Sequence, residues 1–579
     1  DVAMTVLPNA PIDAYSGLPV PTIAVATDGG TNIINDDGTV TQGYQTIDTE
    51  HVDLHPDGFM TDGISGATND SFSLYKIGTI ARLVSYGHRV DAQVINTFLN
   101  EGTGECLFEE SSNKIAIAQS QGLLRIVEEL NVDRVDDADS SGLHNRTTSS
   151  FNTGWMVGDI KGAYLSSIDD TDISSPELLA NPGNPFANTN NWYLDASNKD
   201  TGTIATLTVT GGGSSKLVFT HSDTNSYWDG FGASFTCTVG EVYVVVAYIH
   251  SATNMNLLRI SNTASQHDDD IAVAGTNVAG WHTHTFTATA TTMYLHWNGY
   301  NNTSAMQLNL VEVRLAEEDR SVRAKGLQVR GSINRTPVAS GAELVGYSGF
   351  TASNYMRLDT VNMGFGTGDF SISIWCLPSG DATNEFMLEL FPSGATRFYL
   401  LVTSDGNDKK LYLPSDANVA GSELIDGEWN HVVVGRKTNY AFVYINGHYI
   451  ADGFDAFTTN YSASSTGMGS VGQYGHAPTA DYAWSGSLAL LRISATVPSP
   501  EQVKKMYEDE KKLFYDNAKC TFHGTSDNVE ALAYDDTTNV LHVGTSSGRS
   551  EFQGLNRINN TTTAVTTAIS ASDEFVAEQ

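Results

Sequence analysis

Ser111-Ser-Asn-Lys-Ile-Ala-Ile-Ala-Gln-Ser-Gln-Gly122 and Thr537-Thr-Asn-Val-Leu-His-Val-Gly-Thr-Ser-Ser-Gly548 are one pattern written twice, at opposite ends of the chain. Ile115, Ile117 and Gly122 fall on Leu541, Val543 and Gly548, and each copy runs on to an apolar residue, Ile126 or Phe552. Alternation followed by glycine predicts a strand with every second side chain buried, a tight turn, and a second strand. Two further stretches fit the same template, Ile23-Ala-Val-Ala-Thr-Asp-Gly-Gly30 and Trp155-Met-Val-Gly-Asp-Ile-Lys-Gly162. A two-strand unit on both sides of several hundred unrelated residues implies a repeat fold interrupted by inserted domains.

Forty residues separate Ile115 from Trp155, the size of one four-stranded propeller blade. The gap from Ile23 to Ile115 has room for about two blades. The gap from Trp155 to Leu541 is far too long for a blade and must hold insertions, which cost little when they leave and re-enter at a loop. The expected fold is therefore all-β: a β-propeller-like scaffold interrupted by two jelly-roll β-sandwiches, with one helix near 499–515. Four or five blades can be counted, fewer than many propellers have.

Composition agrees with a strand-rich chain. Of 579 residues, 53 are glycine and 40% are hydrophobic, enough for real cores and for roughly three to five domains. No apolar run reaches the ~20 residues that span a bilayer, so no membrane insertion is expected. The chain opens on Asp1 without Met or an apolar leader, which reads as processing, trimming or a partial sequence. A formal charge of −36 without clustered Lys and Arg argues against nucleic-acid binding. Cys106, Cys237, Cys376 and Cys520 lack metal-finger spacing and read as free thiols, in keeping with assembly in a bacterial cytoplasm.

The domains read as scaffold over 1–172, first insert over 173–316, a scaffold return segment over 317–340, second insert over 341–498, and helix plus scaffold over 499–579. In the first insert, Ile204-Ala-Thr-Leu-Thr-Val-Thr, Glu241-Val-Tyr-Val-Val-Val-Ala-Tyr, Trp281-His-Thr-His-Thr-Phe-Thr-Ala-Thr and Leu308-Asn-Leu-Val-Glu-Val-Arg-Leu alternate as sandwich strands do. With the opening Glu177-Leu-Leu and Asn191-Trp-Tyr, their order resembles the jelly-roll carbohydrate-binding modules. In the second insert, Phe370-Ser-Ile-Ser-Ile-Trp-Cys, Gly427-Glu-Trp-Asn-His-Val-Val-Val, Ala441-Phe-Val-Tyr-Ile-Asn-Gly-His-Tyr-Ile and Trp484-Ser-Gly-Ser-Leu-Ala-Leu-Leu-Arg-Ile occur in that order. This resembles the laminin-G/concanavalin-like jelly roll. Asn446-Gly447 predicts a type I′ hairpin, and Trp375 and Trp429 read as core anchors. Ser499-Pro-Glu-Gln502 predicts a capped helix start, with Val503, Met506 and Tyr507 as its buried face. Arg323-Ala-Lys-Gly-Leu-Gln-Val-Arg-Gly is expected to cross the scaffold as a strand.

No Gly-x-Ser-x-Gly elbow, His-Glu-x-x-His or P-loop is present, so no catalytic residue is assigned and no enzyme is expected. His282 and His284, and His542, read as surface or edge positions. Asp169, Asp170 and Asp172, and Asp268, Asp269 and Asp270, supply the hard oxygens that a structural Ca²⁺ needs, against the plainer reading of solvated turns; no other cofactor is expected. Sugar binding needs an exposed ring with polar neighbours, and the candidates are Tyr227, Trp228 and Asp229, Trp297 and Tyr300, and Tyr474 with His476.

Taken with these blocks, the run from Pro21 to Val40, the run from Glu317 to Phe350 and the run from Thr525 to Leu555 resemble virion structural proteins of marine tailed bacteriophages. The resemblance implies a tail-associated virion component with other virion proteins as partners, a symmetric homo-oligomer, and outward sandwiches touching host-surface glycans. A polysaccharide depolymerase and a secreted bacterial adhesin or matrix protein are the alternatives.

Overall fold

Alternating apolar side chains make strands almost throughout the described residues, and the strands gather into four small sheets, two sandwiches and a last hairpin of Ile569–Ser572 with Phe575–Glu578. The computed structural model describes residues 1–8, 10–45, 49–64, 71–76, 82–85, 103–109, 114–127, 142–179, 192–195, 205–210, 216–221, 229–263, 270–275, 278–299, 304–360, 363, 365–379, 384–390, 397–405, 408–414, 419, 421–456, 458–461, 468–475, 478, 480–563, 569–572 and 575–578.

Four antiparallel sheets form the repeat scaffold. The first comprises Val2–Thr5, Thr22–Thr27, Gly30–Ile34 and Val40–Gln45, and the second Thr49–His55, Phe59–Ile64, Ser71–Lys76 and Arg82–Ser85. The third runs from Thr103–Phe108 to Met156–Val157, and the fourth from Val529–Asp535 to Asn556–Thr561. Three of the four quoted copies are the same hairpin. Thr27 pairs with Gly30, Gln119 with Gly122 and Thr545 with Gly548; four residues earlier Ile23, Ile115 and Leu541 pair with Ile34, Ile126 and Phe552. The three turn glycines have φ of 112°, 129° and 137°, a region that side chains beyond glycine rarely enter.

The fourth copy, at Trp155, is not a hairpin. Met156–Val157 closes the third sheet, while Ile160–Tyr164 pairs with Ser487–Ser494 in the second sandwich. Gly158, with φ of 51°, makes the break between the two.

The four sheets pack in series. Ala24, Ala26 and Ile33 meet Val52, Leu54 and Met60 between the first two. The Cys106 thiol lies 3.6 Å from the Thr61 hydroxyl between the second and third. Leu107, Ala116 and Leu123 share one core with Leu532, Leu541, Val543 and Phe552, so the third and fourth sheets, which flank the sandwiches along the chain, meet in one hydrophobic centre, while the first sheet has a separate core with the second. The closed disc expected from the sequence is not seen among the described residues.

The first sandwich is two five-stranded sheets over a core of Phe219, Phe231, Trp297, Leu308 and Val311. The second has a back sheet ordered Ile160–Tyr164, Ser487–Ser494, Phe370–Leu377, Asn430–Lys437, Tyr440–Ile445 and His448–Ala456. Its front sheet runs Leu327–Pro337, Tyr355–Leu358, Gly469–Val471, Glu385–Leu390, Phe398–Asp405, Asp408–Tyr412 and Glu423–Leu424. The strand expected to cross the scaffold is thus Leu327–Pro337, and it belongs to this front sheet. Asn446 and Gly447 have φ of 51° and 76°, as a type I′ turn requires.

Trp375 and Trp429 anchor a different core from the one expected. They lie on the outer side of the back sheet, where Trp375 stacks on Phe514 at 4.2 Å and Trp429 packs on the same ring at 4.9 Å. The helix Pro500–Glu510 sits there, with Ser499 and Gln502 closing the expected capping box and Val503 and Met506 buried. Its last residue, Glu510, accepts hydrogen bonds from the Trp155 amide at 2.8 Å, the Trp375 indole at 2.7 Å and Arg492 at 2.9 Å. One carboxylate therefore ties the helix, the back sheet and the third repeat sheet together.

The two sandwiches meet over a charged contact. Glu312 of the first faces Arg330 at 2.8 Å and Arg357 at 2.7 Å on the front sheet of the second, with Arg314 at 3.9 Å. Lys325 and Thr283 meet Asp359 at 2.9 Å and 2.5 Å.

Glu317, at the end of the strand Ser304–Glu317, is buried and receives the Tyr347 hydroxyl at 2.9 Å. Burial pushes its carboxyl up from 4.5 to about 7, opposed by Arg320 and the Tyr347 hydrogen bond. A raised folded-state value stabilises fully below the unfolded value and is lost as pH rises through about 7. Raising pH across this window should therefore remove stability on the order of 3 kcal/mol through this group. Denaturant titrations of wild type and Glu317→Gln between the two values check this: the variant's pH slope should be shallower, and equal slopes would refute it.

Candidate functional site

The front sheet of the second sandwich turns one side inward and presents the other. In Phe398–Asp405, Phe398, Leu400 and Val402 enter the core, so Tyr399 and Leu401 face out. In Asp408–Tyr412, Leu411 goes in and Tyr412 faces out, opposite Leu401. A bulge at Met387 lets Met387 and Leu388 both turn inward, which leaves Phe386 opposite Leu401 and Glu389 opposite Tyr399 on the outer side.

The loop after Gly469–Val471 adds Tyr474, and the short 3₁₀ turn Ala480–Tyr482 adds Tyr482. Tyr474 lies 4.9 Å from Phe386 and 5.5 Å from Tyr482, edge-on to the latter; Tyr399 lies 5.8 Å from Phe386 and stacks on Tyr412 at 6.0 Å. Five rings thus share one face. All but Phe386 are half-buried, with edges open to solvent.

Arg397 supplies the positive charge of this face. Its guanidinium lies 4.9 Å from the centre of the Tyr399 ring and 5.2 Å from that of Tyr474, and donates to the Tyr474 hydroxyl at 2.5 Å. Glu389 lies beneath, fully buried, accepting from the Gly475 amide at 2.8 Å and 3.8 Å from Arg397. Burial, aided by Tyr412 and opposed by Arg397, raises the Tyr399 phenol and keeps it a neutral donor and acceptor. Rings, phenols and one guanidinium on a single face can take a ring-shaped polyol: C–H groups against the aromatics, hydroxyls to the polar atoms.

Of the residues expected from the sequence, Tyr474 is in this cluster. Trp297 is a correction: it is fully buried, stacked on Phe231 at 5.4 Å, because it shares the inward side of its strand with Leu295 and Met293. Tyr227, Trp228, Tyr300 and His476 lie outside the described residues, as do the side chains of Asp229 and Asp270 and the whole of Asp268 and Asp269. Asp169 and Asp172 turn onto Arg335: Asp169 bonds its guanidinium at 2.5 Å and Asp172 its amide at 2.9 Å. An arginine already balances that acidic turn, and the Asp169 carboxyl is held below its usual range by Thr171 and Arg335 against some burial. Among the described residues no group of three or more His, Cys, Asp or Glu is arranged to hold a metal ion. None of the four cysteines forms a disulfide.

Residues 350–504, which contain this face, match the family model described as the Concanavalin A-like lectin/glucanases superfamily. That stretch is a laminin-G-type, concanavalin A-like domain. Among solved structures, domain 4 of AbnA, a GH43 extracellular arabinanase from Geobacillus stearothermophilus, is 16% identical at a TM-score of 0.27, over 33% of this chain and 92% of that one. The heptameric SAP-like pentraxin of Limulus polyphemus is 17% identical at 0.21, over 26% and 80%. The Trypanosoma rangeli sialidase is 11% identical at 0.27, over 86% and 78%. Among curated protein sequences none matches.

Proposed function

We propose that the concanavalin A-like domain binds carbohydrate through the face built by Phe386, Tyr399, Tyr412, Tyr474, Tyr482 and Arg397. The observation that carries this is the convergence of five rings and a guanidinium on the outer side of one sheet, in a domain type named for lectins and glucanases. On this reading the chain is a non-enzymatic binding component, and the resemblance of its flanking segments to marine-phage virion proteins makes a tail-associated, symmetric, glycan-touching part of the particle its setting.

Glycan-array binding of the whole chain tests the reading. Tyr399→Ala and Tyr474→Ala should each weaken retention tenfold or more, corresponding to at least ~1.4 kcal/mol. Tyr440→Ala, an exposed ring on the back sheet, should leave it unchanged. Wild-type protein that retains no glycan, or site variants that bind as well as wild type, would refute it. Release of reducing sugar from a retained polysaccharide would replace binding with hydrolysis.

A further inference from the structure

The first sandwich lies against the outer side of the front sheet and brings two rings to that side. In Val242–Thr253, Tyr243, Val245, Ala247 and Ile249 enter the first sandwich's own core, so Val244, Val246 and Tyr248 face out. Val244 and Val246 close on Met468 of the second sandwich. Tyr248, next in that phase, pairs across the strands with Trp281, and the two half-buried rings lie 5.0 Å apart. The Arg357 guanidinium, from the front sheet, lies 5.8 Å from the centre of the Trp281 ring and donates to Glu312 at 2.7 Å. Among the described residues the Trp281 indole N–H has no acceptor, so an oxygen seated at that edge of the ring gains a bond and displaces none.

Arg357 also locates this ring pair relative to the binding face. On the outer side of the front sheet, Arg357, Ser470, Glu389 and Tyr399 stand opposite one another in turn on neighbouring strands. Three strand steps place Arg357 about 14 Å from Tyr399. Ser470 and Glu389 are buried between them under the turn 473–475, Ser470 donating to the Gln473 carbonyl at 2.6 Å and Glu389 accepting from the Gly475 amide. That turn carries Tyr474, so rings stand at both ends of the row and between them. We infer that the binding face continues to Trp281 and Tyr248, and that its ligand is an internal stretch of a polysaccharide laid across the strands of the front sheet. The inference rests on the carbohydrate-binding reading above. A single sugar ring is shorter than the row and uses one end of it. A strand of linked rings repeats its C–H faces and hydroxyls, and the row repeats their counterpart, an aromatic ring beside a guanidinium: Trp281 with Arg357, then Tyr474 and Tyr399 with Arg397. Glu312 holds the two sandwiches together before the ligand arrives, so the second contact adds little ordering cost.

Isothermal titration of the whole chain tests this, with a size ladder from monosaccharide to decasaccharide cut from the polysaccharide that the chain retains. The decasaccharide should bind tenfold or more tighter than the disaccharide, because its second contact is intramolecular. Trp281→Ala should weaken the decasaccharide tenfold or more and leave the disaccharide unchanged, whereas Tyr399→Ala weakens both. Circular dichroism and the unfolding midpoint show whether Trp281→Ala keeps its fold; Tyr248→Ala replaces it where it does not, and should act in the same direction. A disaccharide bound as tightly as the decasaccharide overturns the inference and leaves the face at Tyr399 standing, as do folded variants that bind the decasaccharide like wild type. A Trp281→Ala protein that loses both ligands alike also overturns it, since the ring then acts only by positioning the two sandwiches. A chain that retains no polysaccharide removes this inference together with the reading it rests on.

Discussion

Glu510→Ala is expected to destabilise the protein by about 3–5 kcal/mol, the cost of leaving a buried charge without its partner. Arg492 is the stranded group: its side chain is 3% exposed, and Glu510 is the carboxylate it bonds at 2.9 Å. The Trp375 indole and the Trp155 amide lose their acceptor in the same step. Glu510→Gln keeps the shape and part of the hydrogen bonding, so it should cost less but still weaken the fold. Arg492 and Trp375 stand on the back sheet and Trp155 beside the third repeat sheet, while Glu510 ends the helix, so denaturant unfolding should show the helix and the scaffold loosening together. A midpoint unchanged in Glu510→Ala would show that this carboxylate is dispensable.

Gly548→Ala carries the second large effect, roughly 3 kcal/mol from backbone strain and a forced shift of the neighbouring strand. The turn holds φ at 137°, and a Cβ there would sit 2.1 Å from the Thr561 carbonyl oxygen, inside any permitted contact. Gly122→Ala should do the same in the third sheet, where the Thr147 carbonyl oxygen lies 2.7 Å from the added carbon. By contrast, Gly38→Ala, with nothing within 4 Å, tests strain without collision and should cost clearly less. Equal midpoints for the two kinds of substitution would separate the fold from its turn glycines.

What the sequence disclosed is local. Three copies of the hairpin, the Asn446-Gly447 turn and the Ser499 capping box are each written in a few adjacent residues, and each forms as written. Pairings between distant segments left no such mark. The Trp155 copy looks like the others, yet Ile160–Tyr164 finds its partner in Ser487–Ser494, more than three hundred residues later. Asp169 reads as a cation ligand until Arg335 is brought against it. The binding face was legible only in part. Tyr399 and Tyr412 occupy the outward phase of Phe398–Asp405 and Asp408–Tyr412, a signal that alternation alone carries. Phe386 was hidden, because the bulge at Met387 shifts the phase of its strand. Trp297 shows the reverse case, since its phase with Leu295 and Met293 already pointed inward.

The Glu312 contact with Arg330 and Arg357 has a bearing on how the molecule meets a crowded surface. No slack tether separates the two sandwiches: Ser304–Glu317 of the first runs into Leu327–Pro337 of the second, and those strands pair with each other. The angle between the modules is consequently set by side chains rather than sampled. A pair built in this way holds its two modules at one fixed span, so whatever the second sandwich meets is met at an orientation the first sandwich shares.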